Sequence, residues 1–295
     1  MDIVGAYACS HPGLMITRAH LAPPAHKAAV HDAFAAMGRQ ILALDPDAIV
    51  LIATDHVRVY PLSSVPQFNI GVSKSARGIG DAGLPPCEIP IHQDYARAVL
   101  SGCIEQGVDL AYSEAMAIDH SFVTPMMLAL PDNRPPIVPI AQNCNAPPLP
   151  PLRRSYDVGT KLGAAIRGGP AGRVVVVATG GLSHWVGPEN YQDFMREPAG
   201  SRIERQKDFP MTIGERGYIN EKFDRDFLAL LCSGRAPEFI DAWTSDRLQK
   251  EAGNGAQELR NWLLLAGVTG DARGEVMGYA PVAEWLTGCT VVKFH

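Results

Sequence analysis

Residues 173–185 read RVVVVATGGLSHW. Four consecutive valines form a continuous β-branched apolar run, the pattern of a strand covered on both faces. AIVLIAT at 48–54 has the same character. A strand covered on both faces needs a layer of structure above it and another below, and this decides the fold class as α/β. The 173–179 strand then empties into Gly180 and Gly181 and, three residues on, His184. A turn needs glycine but has no need of an imidazole.

Working outward, 3–8 (IVGAYA) and 68–72 (FNIGV) read as strands, and 109–114 as a further one. Residues 136–141 (PIVPIA) form a strand whose prolines place it nearer a sheet edge. Apolar residues at helical spacing predict helices over 25–43, 94–106 and 153–167, and a short one over 124–130 with Pro125 near its start. The prolines of 145–152 stiffen a surface loop, since the strand–helix pattern continues on both sides. After residue 185 the stretch 187–210 is polar and reads as irregular. Helices follow over 219–234, 236–243, 244–253 and 256–267, and 279–294 is partly strand-like. The expectation is a three-layer α/β/α arrangement on a central mixed sheet, a helical C-terminal third, and a single domain over 1–295.

The composition is that of a globular protein, with 46% apolar and 19% charged residues. A net charge of −5 without a basic cluster argues against nucleic acid as a partner. The apolar runs are too short to span a bilayer, so no membrane is expected. The N-terminus lacks a basic leader, and six scattered cysteines form no C-x-x-C pair, which suits a cytoplasmic protein.

Nine histidines are present. His11, His56 and His184 each fall just beyond the carboxyl end of a predicted strand, and His120 follows an acid in AIDHSF. That edge of an open α/β sheet is where ligands bind. A single histidine there is ordinarily a loop or capping residue, and the other five fit that reading, with His26 and His31 facing solvent from the first helix. Four together point to a shared site. Neutral imidazole is the commonest transition-metal ligand. Two histidines with one carboxylate make the facial pattern of non-haem Fe(II) oxygenases, and zinc hydrolases use similar ligands. Glu258 opens a helix and offers a carboxylate. Asp55 and Asp119 precede two of the histidines and are equally suited to orient an imidazole from outside.

In order along the chain, SHPGL, TDH, IDHSF-x-TP, ATGGLSH, IN-x-x-FD (219–224) and G-x-x-x-QEL-x-x-W resemble the class III extradiol ring-cleavage dioxygenases. Within them GIGDAGLPPCEIPI, the helical stretch 220–267 and YAPVAEWLTG are most similar to the 2,3-dihydroxyphenylpropionate 1,2-dioxygenase branch. The resemblance spans nearly the whole chain. It implies Fe(II) held by His11, His56 and Glu258, with His120 and His184 as acid–base groups that do not bind metal. It also implies a catechol-type substrate, O₂ as co-substrate, and a homo-oligomer, with or without a small accessory subunit. On this reading His184 is the base and His120 the acid. Ring cleavage of an aminophenol or hydroxypyridone is a close variant. A zinc hydrolase and a non-catalytic binding protein are the readings from other classes.

Ser121 and Trp185 stand where many members carry glycine and glutamine, which bears on substrate choice. Trp185 has two readings, a wall of the ring pocket or a residue packed under a loop. Arg58 either pairs with a substrate carboxylate or is a solvated loop arginine. Asn220 and Asp224 read as residues supporting the site from a helix.

Overall fold

The computed structural model describes residues 1–132, 134–185 and 219–295. The predicted irregular stretch 187–210 lies outside them. Eight strands form the central sheet: β1 (Asp2–Cys9), β2 (Ala48–Ala53), β3 (Phe68–Gly71), β6 (Ala111–Ser113), β8 (Ile137–Gln142), β9 (Arg173–Thr179), β10 (Gly274–Val282) and β11 (Thr287–Phe294). Their order is β10-β11-β1-β9-β2-β8-β3-β6. β1, β9, β2 and β8 run parallel, while β11 on one side and β3 on the other pair antiparallel to them, so the sheet is mixed. The parallel centre is fully buried, as the valine run requires. Val174 to Val177 are at most 2% exposed, and each buried valine stabilises the fold by roughly 1.5–3 kcal/mol.

Helices α2 (Pro24–Ala43) and α4 (His120–Ala129) pack on one another and on the sheet. A second group packs on the sheet as well: α3 (Gln93–Glu105), α5 (Leu152–Arg167) and α9 (Leu259–Thr269). Three further helices, α6 (Glu221–Cys232), α7 (Ala236–Ala242) and α8 (Ser245–Ala252), fill the C-terminal part. A short α1 (Leu14–Thr17) follows β1. A second sheet of three strands, β5 (Cys87–Pro90), β4 (Ser75–Gly78) and β7 (Ala117–Ile118), leads directly into α4. Among the described residues no helix is long and apolar enough to cross a membrane.

Three expectations need correction. The strand at 136–141 is not near an edge: β8 lies between β2 and β3 with all six residues buried. Pro139 is tolerated there because the pairing with β3 ends at Ile70–Ile140, and Gly71 makes room for the ring; a Cβ on Gly71 would lie 2.9 Å from Pro139 Cγ. Helix α4 begins at His120, four residues before the predicted start, because the Asp119 side chain accepts from Ser121 N–H and caps it. Pro125 is therefore inside the helix. His31 does not face solvent: its ring stacks on Trp285 with centroids 5.6 Å apart, and its Nε2 lies 3.1 Å from the Met15 carbonyl.

Candidate active site

Because β1, β2 and β9 are parallel neighbours, their carboxyl ends share one edge. The loops after them deliver His11, His56 and His184 there, and the amino end of α4 delivers His120. The centroids of the His11 and His56 rings are 5.2 Å apart, and the His56 and His120 rings stack at 4.2 Å. His11, His56 and His120 each bring a ring nitrogen within 4.8 Å of the others. Glu258 enters from the turn preceding α9, 1% exposed.

Each imidazole is oriented by a partner on Nδ1. The Thr179 hydroxyl gives its proton to the Ser121 carbonyl, so it accepts from His11 Nδ1–H, at 3.0 Å. Asp119 Oδ2 accepts from His56 Nδ1–H at 2.9 Å and from the His56 backbone N–H at 2.8 Å. Asp81 Oδ2 accepts from His120 Nδ1–H at 2.5 Å. The Leu182 carbonyl accepts from His184 Nδ1–H at 2.8 Å. With Nδ1 committed as donor in all four rings, each Nε2 is left with a lone pair.

Two of these lone pairs meet Glu258. His11 Nε2 is 3.2 Å from Oε2, and His56 Nε2 is 2.9 Å from Oε1. His184 Nε2 stands farther off, 4.0 Å from Oε2. Oε2 also accepts from Gly181 N–H at 2.7 Å, but Oε1 has no aligned hydrogen bond despite the short contact with His56. Two imidazole lone pairs and a carboxylate oxygen, close together without donor geometry and buried, are what a metal ion needs and what is otherwise costly to bury. The donor set of His11, His56 and Glu258 thus fits a divalent metal. Without a metal, burial opposes charge on Glu258, but a proton shared with His11 and His56, which Asp119 favours on His56, outweighs it and holds the carboxyl well below its usual range; a bound metal ion would take that proton's place. Burial likewise pushes His184 below the usual imidazole range. His184 sits in a cradle of glycines: a Cβ on Gly255 would come within 2.1 Å of its Nε2, and one on Gly181 within 2.5 Å of its Cε1.

These groups open into a cavity of about 420 Å³, within the range of roughly 300–1,000 Å³ usual for small-molecule sites. Its apolar wall comes from Pro12, Leu14, Trp285 and Leu286, and Arg18 and Arg58 also line it. Neither guanidinium has an ion-pair partner among the described residues.

The remaining sequence candidates fall in different places. Asp119 orients the imidazole of His56 rather than that of its neighbour His120. Asp55 orients none; its carboxylate accepts from the backbone N–H groups of Arg58, Val59 and Tyr60 and shapes the loop that carries Arg58. Burial, with the nearby Asp119 charge, pushes its carboxyl up to about 6. Ser121 is fully buried, donating to the Thr54 carbonyl at 2.7 Å. Trp185 does not line the histidine cavity. It is half-buried and borders a separate depression with Pro147, Leu149 and Ser245. Asn220 caps α6, accepting from Phe223 N–H, and its own N–H donates to Ser183 Oγ. Sequence reasoning missed Asp81, Thr179, Arg18 and Trp285, because nothing local marks a residue whose partner lies tens of positions away.

Asp224 supports the loop before His184. Its Oδ1 accepts from Ser183 N–H at 2.8 Å and its Oδ2 from Tyr279 OH at 3.0 Å. Burial pushes its carboxyl up to about 6 against those hydrogen bonds. Between about pH 4 and 6 the folded protein therefore keeps a proton that the unfolded chain has released, so this contribution to stability is lost as pH rises through about 6. Asp224→Asn removes the buried charge at any pH. Its stability relative to wild type is expected to grow between pH 4 and 7, by about 3 kcal/mol at most, and then level off. Thermal melts across that range check this, and a pH-independent difference would refute it.

Residues 5–290 match the family described as the catalytic LigB subunit of aromatic ring-opening dioxygenase. A Photorhabdus laumondii protein named 2,3-dihydroxyphenylpropionate/2,3-dihydroxicinnamic acid 1,2-dioxygenase is 30% identical over 293 residues, covering 92% of this chain and 91% of its own. A protein of the same name from Mycolicibacterium vanbaalenii is 33% identical over 257 residues, 79% of each chain. Among solved structures, an uncharacterized protein of Escherichia coli K12 shares the fold, with a TM-score of 0.53 over 99% of both chains at 12% identity.

Proposed function

This chain belongs to the LigB family of aromatic ring-opening dioxygenase catalytic subunits, and from that premise we propose that it is a non-haem Fe(II) extradiol enzyme. In this reading residues 1–295 form one catalytic domain that cleaves a catechol-type ring with O₂. The observation that carries it is the Nε2 atoms of His11 and His56 turned toward the two oxygens of the buried Glu258 carboxylate, of which Oε1 has no aligned hydrogen bond among the described residues. His11, His56 and Glu258 would hold the iron, as the facial triad of such oxygenases does. An Fe(II) ion held by these residues would supply the redox chemistry that lets a bound diol react with O₂.

The chain's own residues handle the protons. His184, neutral and with Nδ1–H given to the Leu182 carbonyl, takes a phenolic proton on Nε2 as the diol binds. His120, its Nδ1–H held by Asp81, takes up a proton on Nε2 as the diol binds and delivers it to a substrate oxygen as the ring opens, which returns the ring to its neutral form. Pro12, Leu14 and Trp285 enclose the ring and exclude water. The two relatives named above act, by their names, on diols that carry a carboxylate side chain. Arg58 and Arg18 supply two positive charges at the same cavity, without ion-pair partners among the described residues, which supports a carboxylated catechol here. An aminophenol would place one fewer acidic hydroxyl before His184.

Anaerobic reconstitution with Fe(II), followed by oxygen uptake with a panel of catechols, tests this. One O₂ is expected per ring opened. Carboxylated catechols should show KM values ~10-fold or more below catechol itself, the worth of one charge-assisted hydrogen bond. Absence of uptake with every catechol and aminophenol, at full iron loading, would sink the proposal.

A further inference from the structure

We propose that Asp81 is a positioning residue for ring opening, holding His120 in the tautomer whose Nε2 alone exchanges a proton with the cavity; this rests on the acid role given to His120 above. Asp81 lies 39 residues before His120, on the turn after β4, and lines the cavity. Its two oxygens grip one residue in two ways. Oδ1 accepts from the His120 backbone N–H at 2.8 Å, and Oδ2 from the ring Nδ1–H at 2.5 Å. Backbone and ring are thereby fixed relative to each other.

The turn that presents Asp81 is conformationally costly. Gly80 and Gly83 have φ of 77° and 80°, and Ala82 between them has φ 52°, a left-handed conformation unfavourable for a residue with a Cβ. Leu84 N–H closes the turn on the Asp81 carbonyl, and the Thr17 hydroxyl, which donates to the Gly13 carbonyl at 3.1 Å, also lies 3.4 Å from the Ala82 carbonyl. Strain kept at a cavity wall points toward function.

The plain alternative makes Asp81 a second cap for the first turn of α4. The chemistry separates the two. A cap needs only one acceptor oxygen, and asparagine caps as well as aspartate. The ring contact needs an acceptor that cannot donate. In Asp81→Asn the amide N–H₂ faces Nδ1, so the ring turns its lone pair to the amide and carries its proton on Nε2. Giving up that proton would then leave an imidazolate in place of a neutral imidazole, which is prohibitive near neutral pH.

The test has two arms on the full chain. In the Zn(II)-loaded protein, a diamagnetic probe, nitrogen-15 histidine NMR should place the His120 proton on Nδ1. That proton should move to Nε2 in Asp81→Asn and return to Nδ1 in Asp81→Glu, with His120→Gln giving the assignment. In the Fe(II)-loaded protein, Asp81→Asn should lower kcat by about 10²-fold or more, with KM within about threefold, iron retained, and partial rescue by Asp81→Glu. An unmoved tautomer, or wild-type kcat in Asp81→Asn, overturns the proposal. If wild-type protein opens no catechol ring, the ring-opening reading fails instead, and Asp81 is judged on the tautomer alone.

Discussion

Glu258→Ala is expected to empty the metal site and abolish turnover with it. The carboxylate is the anionic member of the proposed triad, in contact with both His11 and His56 and 1% exposed. Without it two neutral imidazoles remain, and the charge that neutralises half of a divalent cation is gone. Losing an outer partner of a metal ligand costs about 10–100-fold in affinity; losing the ligand itself should cost more, so iron retained after dialysis and turnover should fall together by more than ~100-fold. The substitution also strips Gly181 N–H of its acceptor, a local cost of about 1–3 kcal/mol. Glu258→Gln, which keeps the shape and an oxygen for Gly181, separates lost metal from lost structure. Metal analysis with circular dichroism decides the matter: a folded variant holding full iron would remove Glu258 from the ligand set.

The architecture was legible where burial is symmetric or periodic. β2 and β9 lie under helices on both faces, so their residues are apolar without alternation, and the sequence carries that directly. Three of the four histidines were legible for a topological reason: parallel neighbouring strands must end at one edge. The partners of those histidines were not. Asp119 adjoins His120 in the chain, yet its carboxylate serves His56, 63 positions away. The carboxylate that does serve His120 comes from Asp81, through a turn whose left-handed alanine no pattern announces. The adjacency of Asp55 to His56 was equally misleading, since a short side chain beside a loop bonds its own following backbone more readily than its neighbour's ring. Pro139 misled in the opposite direction. A proline's missing N–H matters only if a partner strand needs it, and β3 stops one residue short.

His184→Gln is expected to leave iron in place and cut kcat by about 10²-fold or more, roughly 2.7 kcal/mol of barrier. Its Nε2 is 4.0 Å from Glu258 Oε2, against 3.2 and 2.9 Å for the contacts of His11 and His56 with the carboxylate, so it stands back from the proposed metal position while still facing the cavity. Glutamine is the better probe than phenylalanine. Gly181 and Gly255 press on the imidazole so closely that a larger ring would displace the loop, and the loop also carries Gly181 N–H to Glu258. A phenylalanine variant could lose iron for that reason alone. Glutamine has no nitrogen basic enough to take the phenolic proton near neutral pH, so the loss should appear in kcat with KM changed little. Iron content and steady-state oxygen uptake, measured on one preparation, read both quantities. Equal loss of iron would make His184 a ligand, and unchanged kcat would take the proton away from it.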